Sequence, residues 1–478
     1  MPSSFSRRIR TVLLILVTFI IVSVGAIWLA LRVTPLQTVQ AAGQTAQIGA
    51  TLPNLSLRGP GELDLFGQAM PTRPDFSGPI RPRLQLEHIT INQQVIQTLQ
   101  ADGPHKIELS LSQQLAAGWT RYFLWESLIV AGFALTGVIA IVGIARRHSV
   151  SRRRVLLIGV AGMAFAVVVN VGGVLVTASS TPAVLRSVKT LDDLVGVDPV
   201  NSTSQHAKPL PGVQAVVIGD STASGDGLPL APGASSLDRA CSRSPEAYAS
   251  DLAAVNGWNV LNVACSSATI TNGLLGAQVL NNGSVAPVQL VEAEQATQAK
   301  VIIVSVGADD VQWSIMTRLC AASSVCDDKV STAYFTQLLD SFTRSYYQLL
   351  GDLAALPHTP AVLVNEYYSP FGPDIGCLAK YGLTPAKEKV LLARLGQLNT
   401  VLAEGAQTFG FGVADPPFTG HELCTADPYV QGPSDRAPLH PTATGELIIA
   451  LADQQELPKL QTLVPAASAV TPAPPGTD

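Results

Sequence analysis

The hydrophobic pattern changes character along the chain. Within the first 180 residues three runs are apolar at nearly every position: Thr11 to Leu31, about Tyr122 to Ala145, and Val155 to Ala178. At about 1.5 Å per residue, each is long enough to cross a hydrocarbon core of roughly 30 Å. A buried helix of a soluble fold is the alternative for each run. Asn170, deep in the third run, suits a helix–helix hydrogen bond. Between the first two runs, residues 35–120 alternate apolar and polar positions in stretches such as "PRLQLEHITIN" and "HKIELSLS", punctuated by Gly and Pro. That pattern predicts a small β-rich domain, with no constellation that reads as catalytic.

After residue 212 short apolar runs alternate with helical patterns. "VQAVVI", "WNVLNVA", "VIIVSV", "AVLVNEY" and "FGVAD" predict strands, and the segments between them predict helices, ending with "TATGELIIALADQQ". In "SPEAYASDLAAV" Ser244 reads as an N-cap, with Pro245 at the first helical position and Glu246 in the first turn. Such alternation implies an α/β domain whose mostly parallel sheet is covered on both faces, with ligands beyond the carboxyl ends of its strands. The predicted division is a membrane helix over 1–34, the β-rich domain over 35–120, and two more membrane helices with a basic loop over 121–180. A linker over 181–211, the α/β domain over 212–462 and a Pro/Ala-rich disordered tail over 463–478 follow.

Charge sets the orientation. The 478 residues carry a net charge of -5 and only 14% charged side chains, which leaves no electrostatic footprint for nucleic acid. "SRRIR" precedes the first run and "RRHSVSRRR" separates the second from the third, so both belong on the cytoplasmic side. This predicts a multi-pass membrane protein with a cytoplasmic N-terminus and three spans. Residues 35–120 and everything after Ser179 would then be extracytoplasmic. A cleaved signal peptide is the other reading of the first run, whose apolar core exceeds the roughly 7–15 residues of a signal. All six cysteines fall after Ser179, as disulfides in an oxidising compartment would. No spacing suggests zinc, and no cofactor is expected.

Three strand ends carry candidate chemistry. The first strand runs into "GDSTASGDG", where the Ser221 hydroxyl can be presented at a turn with its N–H aimed at an oxyanion. His440, in "APLHPTATGELIIA", stands before the last helix as a candidate general base. "VSVGADD" ends in Asp309 and Asp310, a metal pair, an acid/base pair or turn chemistry; no third ligand is suggested nearby.

Taken in order, "GDS", "CSRSPEAYA", "ACSSAT", "VSVGADD", "GHELC" and "HPTATG" resemble the SGNH (GDSL) hydrolases, in particular the secreted actinobacterial esterase and lipase branch. The resemblance covers roughly residues 212–460 and says nothing about the first 180. It implies a three-layer α/β/α sandwich, an ester substrate, Ser221 as nucleophile and His440 as its base. It also implies oxyanion contacts from Ser221, Ser267 and position 309. The pairings it implies are Cys241–Cys265, Cys320–Cys326 and Cys377–Cys424. His421 matches the branch as a structural or pocket-lining residue.

Three positions depart from the pattern. The Asp expected three residues before the histidine is Ala437, so either the Ala437 carbonyl or the Asp435 carboxylate would orient the ring. The expected oxyanion glycine is Ser267, which suffices if the backbone needs no positive φ. The expected oxyanion asparagine is Asp309, which only accepts hydrogen bonds when ionised and donates one when protonated. The expectation is a membrane-anchored extracytoplasmic serine esterase acting on acylated envelope glycans or lipids. An acyltransferase, or a binding or scaffold protein on a decayed site, are the alternatives.

Overall fold

A computed structural model describes residues 4–41, 44–89, 104–146, 152–188, 191–196 and 209–463. The chain divides into two compact units, Met1–Gly196 and Val197–Asp478.

In the first unit helices α1 (Ser4–Val33), α2 (Pro104–Arg146) and α3 (Arg152–Ala178) cover the three apolar runs. Among the described residues no single helix is long and apolar enough to cross a membrane. The segments Val160–Val176 and Thr181–Ser187 meet that measure only as a pair bent by 40°. Three spans are therefore not shown, and residues 147–151 of the basic loop lie outside the described residues. Asn170 is buried, and its amide donates to the Glu126 carboxylate at 2.7 Å and to Ser127 Oγ at 3.1 Å, an α2–α3 hydrogen bond of the predicted kind.

Strands β1 (Gln37–Ala41), β2 (Gln44–Ala50), β3 (Arg58–Leu65), β4 (Gln68–Ser77) and β5 (Pro82–Ile89) form one sheet in the order β1-β2-β5-β3-β4. The alternation is real here: Leu63 and Leu65 on β3, and Leu84 and Leu86 on β5, are all buried. It does not extend to "HKIELSLS", which lies in α2 rather than in a strand. Pro104 fits a helix's first position, and buried Leu111, Leu115, Trp119 and Tyr122 recur every three or four residues. That longer period overrides a short alternation. Residues read as linker also fold: α4 (Thr181–Ser187) and α5 (Leu191–Val195) bury Leu185, Leu191, Leu194 and Val195. Residues 197–208 of the linker, and residues 464–478 of the predicted tail, lie outside the described residues.

The second unit is built on five parallel strands. These are β6 (Ala215–Gly219), β7 (Val260–Asn262), β8 (Val301–Ser305), β9 (Ala361–Asn365) and β10 (Gly412–Ala414), in the order β10-β9-β8-β6-β7. Every residue of β6 and β8 is buried, as strands covered on both faces require. Their registers align Val301 with Ala215 and Ser305 with Gly219, so their carboxyl ends finish level. A Cβ on Gly219 would stand 2.1 Å from the Ser305 carbonyl oxygen, so only glycine permits that approach. The buried Gln289 side chain then holds Gly219 at both its N–H (2.7 Å) and its carbonyl (3.0 Å).

Its helices include α6 (Ser221–Ser224), α7 (Tyr248–Asn256), α8 (Trp313–Ala322), α9 (Lys329–Ala354), α10 (Pro385–Thr408) and α11 (Ala443–Leu463). α7 packs with α11 and α9 with α10, forming two helical layers. On α9, Phe335, Leu339, Phe342, Tyr346, Leu350 and Leu353 are buried at helical spacing, each stabilising by about 1.5–3 kcal/mol when fully covered. The Asp328 carboxylate caps this helix by accepting from the N–H groups of Val330 and Ser331. α7 starts at Tyr248, later than the Ser244 cap predicted, because the Ser244 hydroxyl accepts from the Glu246 N–H in a local turn. Disulfides join Cys241 to Cys265, Cys320 to Cys326 and Cys377 to Cys424.

Candidate active site

The ends of β6, β8 and β9 converge on one buried hydroxyl group. Ser221 opens α6 directly after β6, and Asp220 caps that helix by accepting the Thr222 N–H at 3.0 Å. The Tyr367 hydroxyl, two residues past β9, donates to the other Asp220 oxygen and accepts the Ala308 N–H at 2.9 Å. One phenol thus ties all three strand ends together. Burial, and then the charge of Asp309, hold the Asp220 carboxyl well above its ordinary range.

His440 Nε2 lies 2.8 Å from Ser221 Oγ, across 219 residues of sequence. The other ring nitrogen, Nδ1, faces the Pro438 carbonyl oxygen at 3.2 Å. Neither expected orienting group occupies that place. The Ala437 carbonyl accepts the histidine's own backbone N–H at 3.2 Å. The Asp435 carboxylate accepts the Gly432 N–H at 2.6 Å and is not brought to the ring. The chain turns at Leu439, with φ 73°, and the carbonyl two residues before the histidine meets its imidazole.

Gln431 holds this loop in register with the serine turn. Its Nε2 donates to the Asp226 carbonyl (2.9 Å) and the Pro441 carbonyl (2.8 Å), while Oε1 accepts the Ala437 N–H (3.2 Å). Its backbone pairs with His440 and Leu439 as well. Asp226 in turn donates its N–H to the Ser221 carbonyl at 3.1 Å. A lone glutamine in a loop carries no sequence signal for such a role. Nor does Tyr367, although its place just beyond a strand end was a clue.

Two backbone donors stand open. Among the described residues neither the Ser221 N–H nor the Ser267 N–H donates to a protein acceptor. Ser267 has φ 65°, so this turn does require the left-handed conformation, at a cost of about 1–2 kcal/mol to a residue with a Cβ. The Cys241–Cys265 bridge and Arg243, which donates to the carbonyls of Val263 (2.8 Å) and Ala264 (2.7 Å), hold the turn in place.

Asp309 lines the cleft that contains Ser221 and His440, together with Trp313, Tyr368, Leu395 and Leu398. Its buried Oδ2 has no hydrogen-bond partner among the described residues. Burial raises its pKa to about 6; the nearby imidazole of His440 pulls it down and the charge of Asp226 pushes it up. Asp310 serves differently, accepting the Ile270 N–H at 3.1 Å and so fastening this strand end to the Ser267 turn. Its pKa is raised to about 7, chiefly by burial. Among the described residues no group of three His, Cys, Asp or Glu side chains stands ready for a metal ion. His421 stacks on Tyr429 with ring centres 3.8 Å apart, and its Nδ1 lies 2.8 Å from the Asp427 carbonyl oxygen, a structural place outside the cleft.

Residues 217–448 match the GDSL-like lipase/acylhydrolase family. Lipase 1 of Streptomyces coelicolor is 26% identical over 256 residues, covering 51% of this chain and 87% of that protein. A lipase of Streptomyces rimosus is 26% identical over 249 residues, covering 49% of this chain and 84% of that protein. The crystal structure of the extracellular lipase from Streptomyces rimosus aligns with a TM-score of 0.41 and 20% identity, covering 51% of this chain and 99% of that one.

Proposed function

We propose that Ser221 and His440 carry the reaction of this carboxylic ester hydrolase as a dyad, a reading supported by the match of residues 217–448 to the GDSL-like lipase/acylhydrolase family. Ser221 Oγ attacks the ester carbonyl carbon as His440 Nε2 takes its proton. The Pro438 carbonyl accepts from Nδ1–H, which keeps Nε2 free as the acceptor. The oxyanion receives the N–H groups of Ser221 and Ser267. On collapse the alcohol leaves with the proton from His440, and the acyl group remains on Ser221. Water, deprotonated by the same nitrogen, then releases the acid and restores the hydroxyl. An acceptor hydroxyl in place of water would give acyl transfer by the same steps.

Asp309 is the third oxyanion group. When protonated its carboxyl donates as an amide would; when ionised it opposes the developing charge. The observation that carries the whole reading is the 2.8 Å contact between His440 Nε2 and Ser221 Oγ. Three apolar helices with basic flanks and three disulfides support an envelope location. In this reading the N-terminus is cytoplasmic, the chain spans the membrane three times, and the hydrolase unit is extracytoplasmic, where acylated glycans or lipids would be substrates. Labelling with a fluorophosphonate tests the nucleophile. Stoichiometric label on Ser221, absent from Ser221→Ala, is expected; folded protein that stays unlabelled between pH 5 and 8 contradicts it.

A further inference from the structure

In the first unit the carboxyl end of α1 meets a loop of the five-stranded sheet. The Tyr122 hydroxyl donates to the Leu31 carbonyl at 3.3 Å, so the end of the first apolar run and the start of the second come together there. Beside them runs the loop between β2 and β3, residues 51–57. Its Leu55 is fully exposed and its Leu57 is 77% exposed, and Trp28 and Val33 near the end of α1 are exposed as well. A cleft of about 660 Å³ joins helix and loop, with Leu31 and Arg32 on one side and Leu52 and Asn54 on the other. That volume lies within the range of about 300–1,000 Å³ typical of small-molecule sites.

The charge of this cleft is unbalanced. Arg32, Arg81 and Arg83 line it against one acid, Glu62, which leaves a surplus of two positive charges. Glu62 pairs with Arg83 at 3.1 Å, both side chains being partly exposed. Arg81 is only 6% exposed. Its guanidinium donates to the carbonyls of Ser56 (2.9 Å), Gly78 and Pro60 (3.3 Å each) and to the Ser56 hydroxyl. Those acceptors are all neutral, and among the described residues no carboxylate pairs with Arg81 or with Arg32. A buried cation without a counter-ion is costly, so an anion in the cleft gains from its charge. The Arg32 guanidinium lies over the Trp28 ring at 4.0 Å, a basic and aromatic pair suited to a membrane surface. A soluble anion would use the arginines and leave the leucines in water. A lipid uses both.

We infer that this cleft binds the headgroup phosphate of an anionic phospholipid, with Leu55 and Leu57 set into the acyl layer beside it. This rests on α1 and α2 being membrane helices. The full chain in neutral detergent would be titrated with dioleoyl phosphatidylglycerol, dioleoyl phosphatidylcholine and inorganic phosphate, and bound ligand measured by native mass spectrometry. Phosphatidylglycerol should bind about thirtyfold more tightly than phosphatidylcholine, the preference that two surplus basic side chains give, and more tightly than inorganic phosphate. Arg32→Gln combined with Arg83→Gln should abolish the preference and leave kcat on p-nitrophenyl acetate unchanged. Glu62→Gln should move the other way, tightening phosphatidylglycerol about fivefold, which tests the charge even where the double variant does not fold. Leu55→Asp should weaken both lipids. Equal affinity for the two lipids, inorganic phosphate bound as tightly as phosphatidylglycerol, charge variants that keep the wild-type preference, or Leu55→Asp without effect overturns the inference and leaves the membrane reading standing. A full chain that carbonate strips from membranes overturns the membrane reading itself.

Discussion

At position 309 a carboxyl stands where an amide would donate unconditionally, and its behaviour follows from its surroundings. With a pKa raised to about 6, it keeps its proton in moderate acid and loses it above neutrality. Loss of one oxyanion donor costs about 10²–10³ in kcat. Asp309→Asn should therefore raise kcat by up to about a hundredfold at pH 8 and change it little near pH 5, read from paired pH–rate profiles. The stability sign follows from the same shift. The folded chain holds this proton more tightly than the unfolded chain does, so stability falls as pH climbs from the ordinary 3.8 through about 6. The asparagine variant should show a shallower fall in melting temperature over that window. Gln431 acts through geometry instead. Gln431→Glu removes both donors that bridge Asp226 and Pro441. It should lower kcat by roughly 10²-fold with KM changed far less, the order expected when a catalytic group is misplaced by about 1 Å.

Ser221 and His440 were legible because their blocks recur in a fixed order around a strand-end serine. Which carbonyl faces the ring was not, since a backbone carbonyl leaves no mark on residue identity. The Ala437 carbonyl and the Asp435 carboxylate were the expected partners, whereas the oxygen facing the ring is the Pro438 carbonyl, one residue further on. Ser267 shows the same limit: its letter states that a glycine is missing, but only φ 65° states that one was wanted.

Among the elements, the central strands β6, β8 and β9 stood out because each is a short, largely buried β-branched run bounded by glycine or polar residues. Helix starts and mixed periods were harder. The short alternation in "HKIELSLS" matched a strand until the buried positions from Leu111 to Tyr122 set a helical period. Covalent staples matter at this scale as well. The Cys377–Cys424 bridge has a sequence separation of 47 residues. In the chain-entropy model a loop of that size stabilises by roughly 3–5 kcal/mol. Replacing both cysteines with alanine should lower the urea-unfolding free energy by about that amount, with the m-value roughly kept.

For the molecule as a whole, a membrane-associated unit beside an ester-cleaving unit would confine the chemistry to one surface of the envelope. The full chain should sediment with membranes through high-salt and carbonate washes and be released only by detergent. In intact cells residues 209–463 should be open to an added protease from outside. Release by salt alone, or protection of that unit, would contradict the proposed placement. The folded helices Thr181–Ser187 and Leu191–Val195 were not legible in the sequence, because Leu185, Leu191 and Leu194 are spaced too widely to form an apolar run.

The central claim is an acyl-enzyme on Ser221, and trapping it is the most direct measurement. The full chain would be mixed with p-nitrophenyl acetate, quenched in acid within the first turnover and mapped by peptide mass spectrometry. The account predicts an acetyl group on the peptide carrying Ser221, lost in Ser221→Ala and reduced in His440→Ala. Turnover with no adduct there, or turnover that persists undiminished in Ser221→Ala, would contradict it.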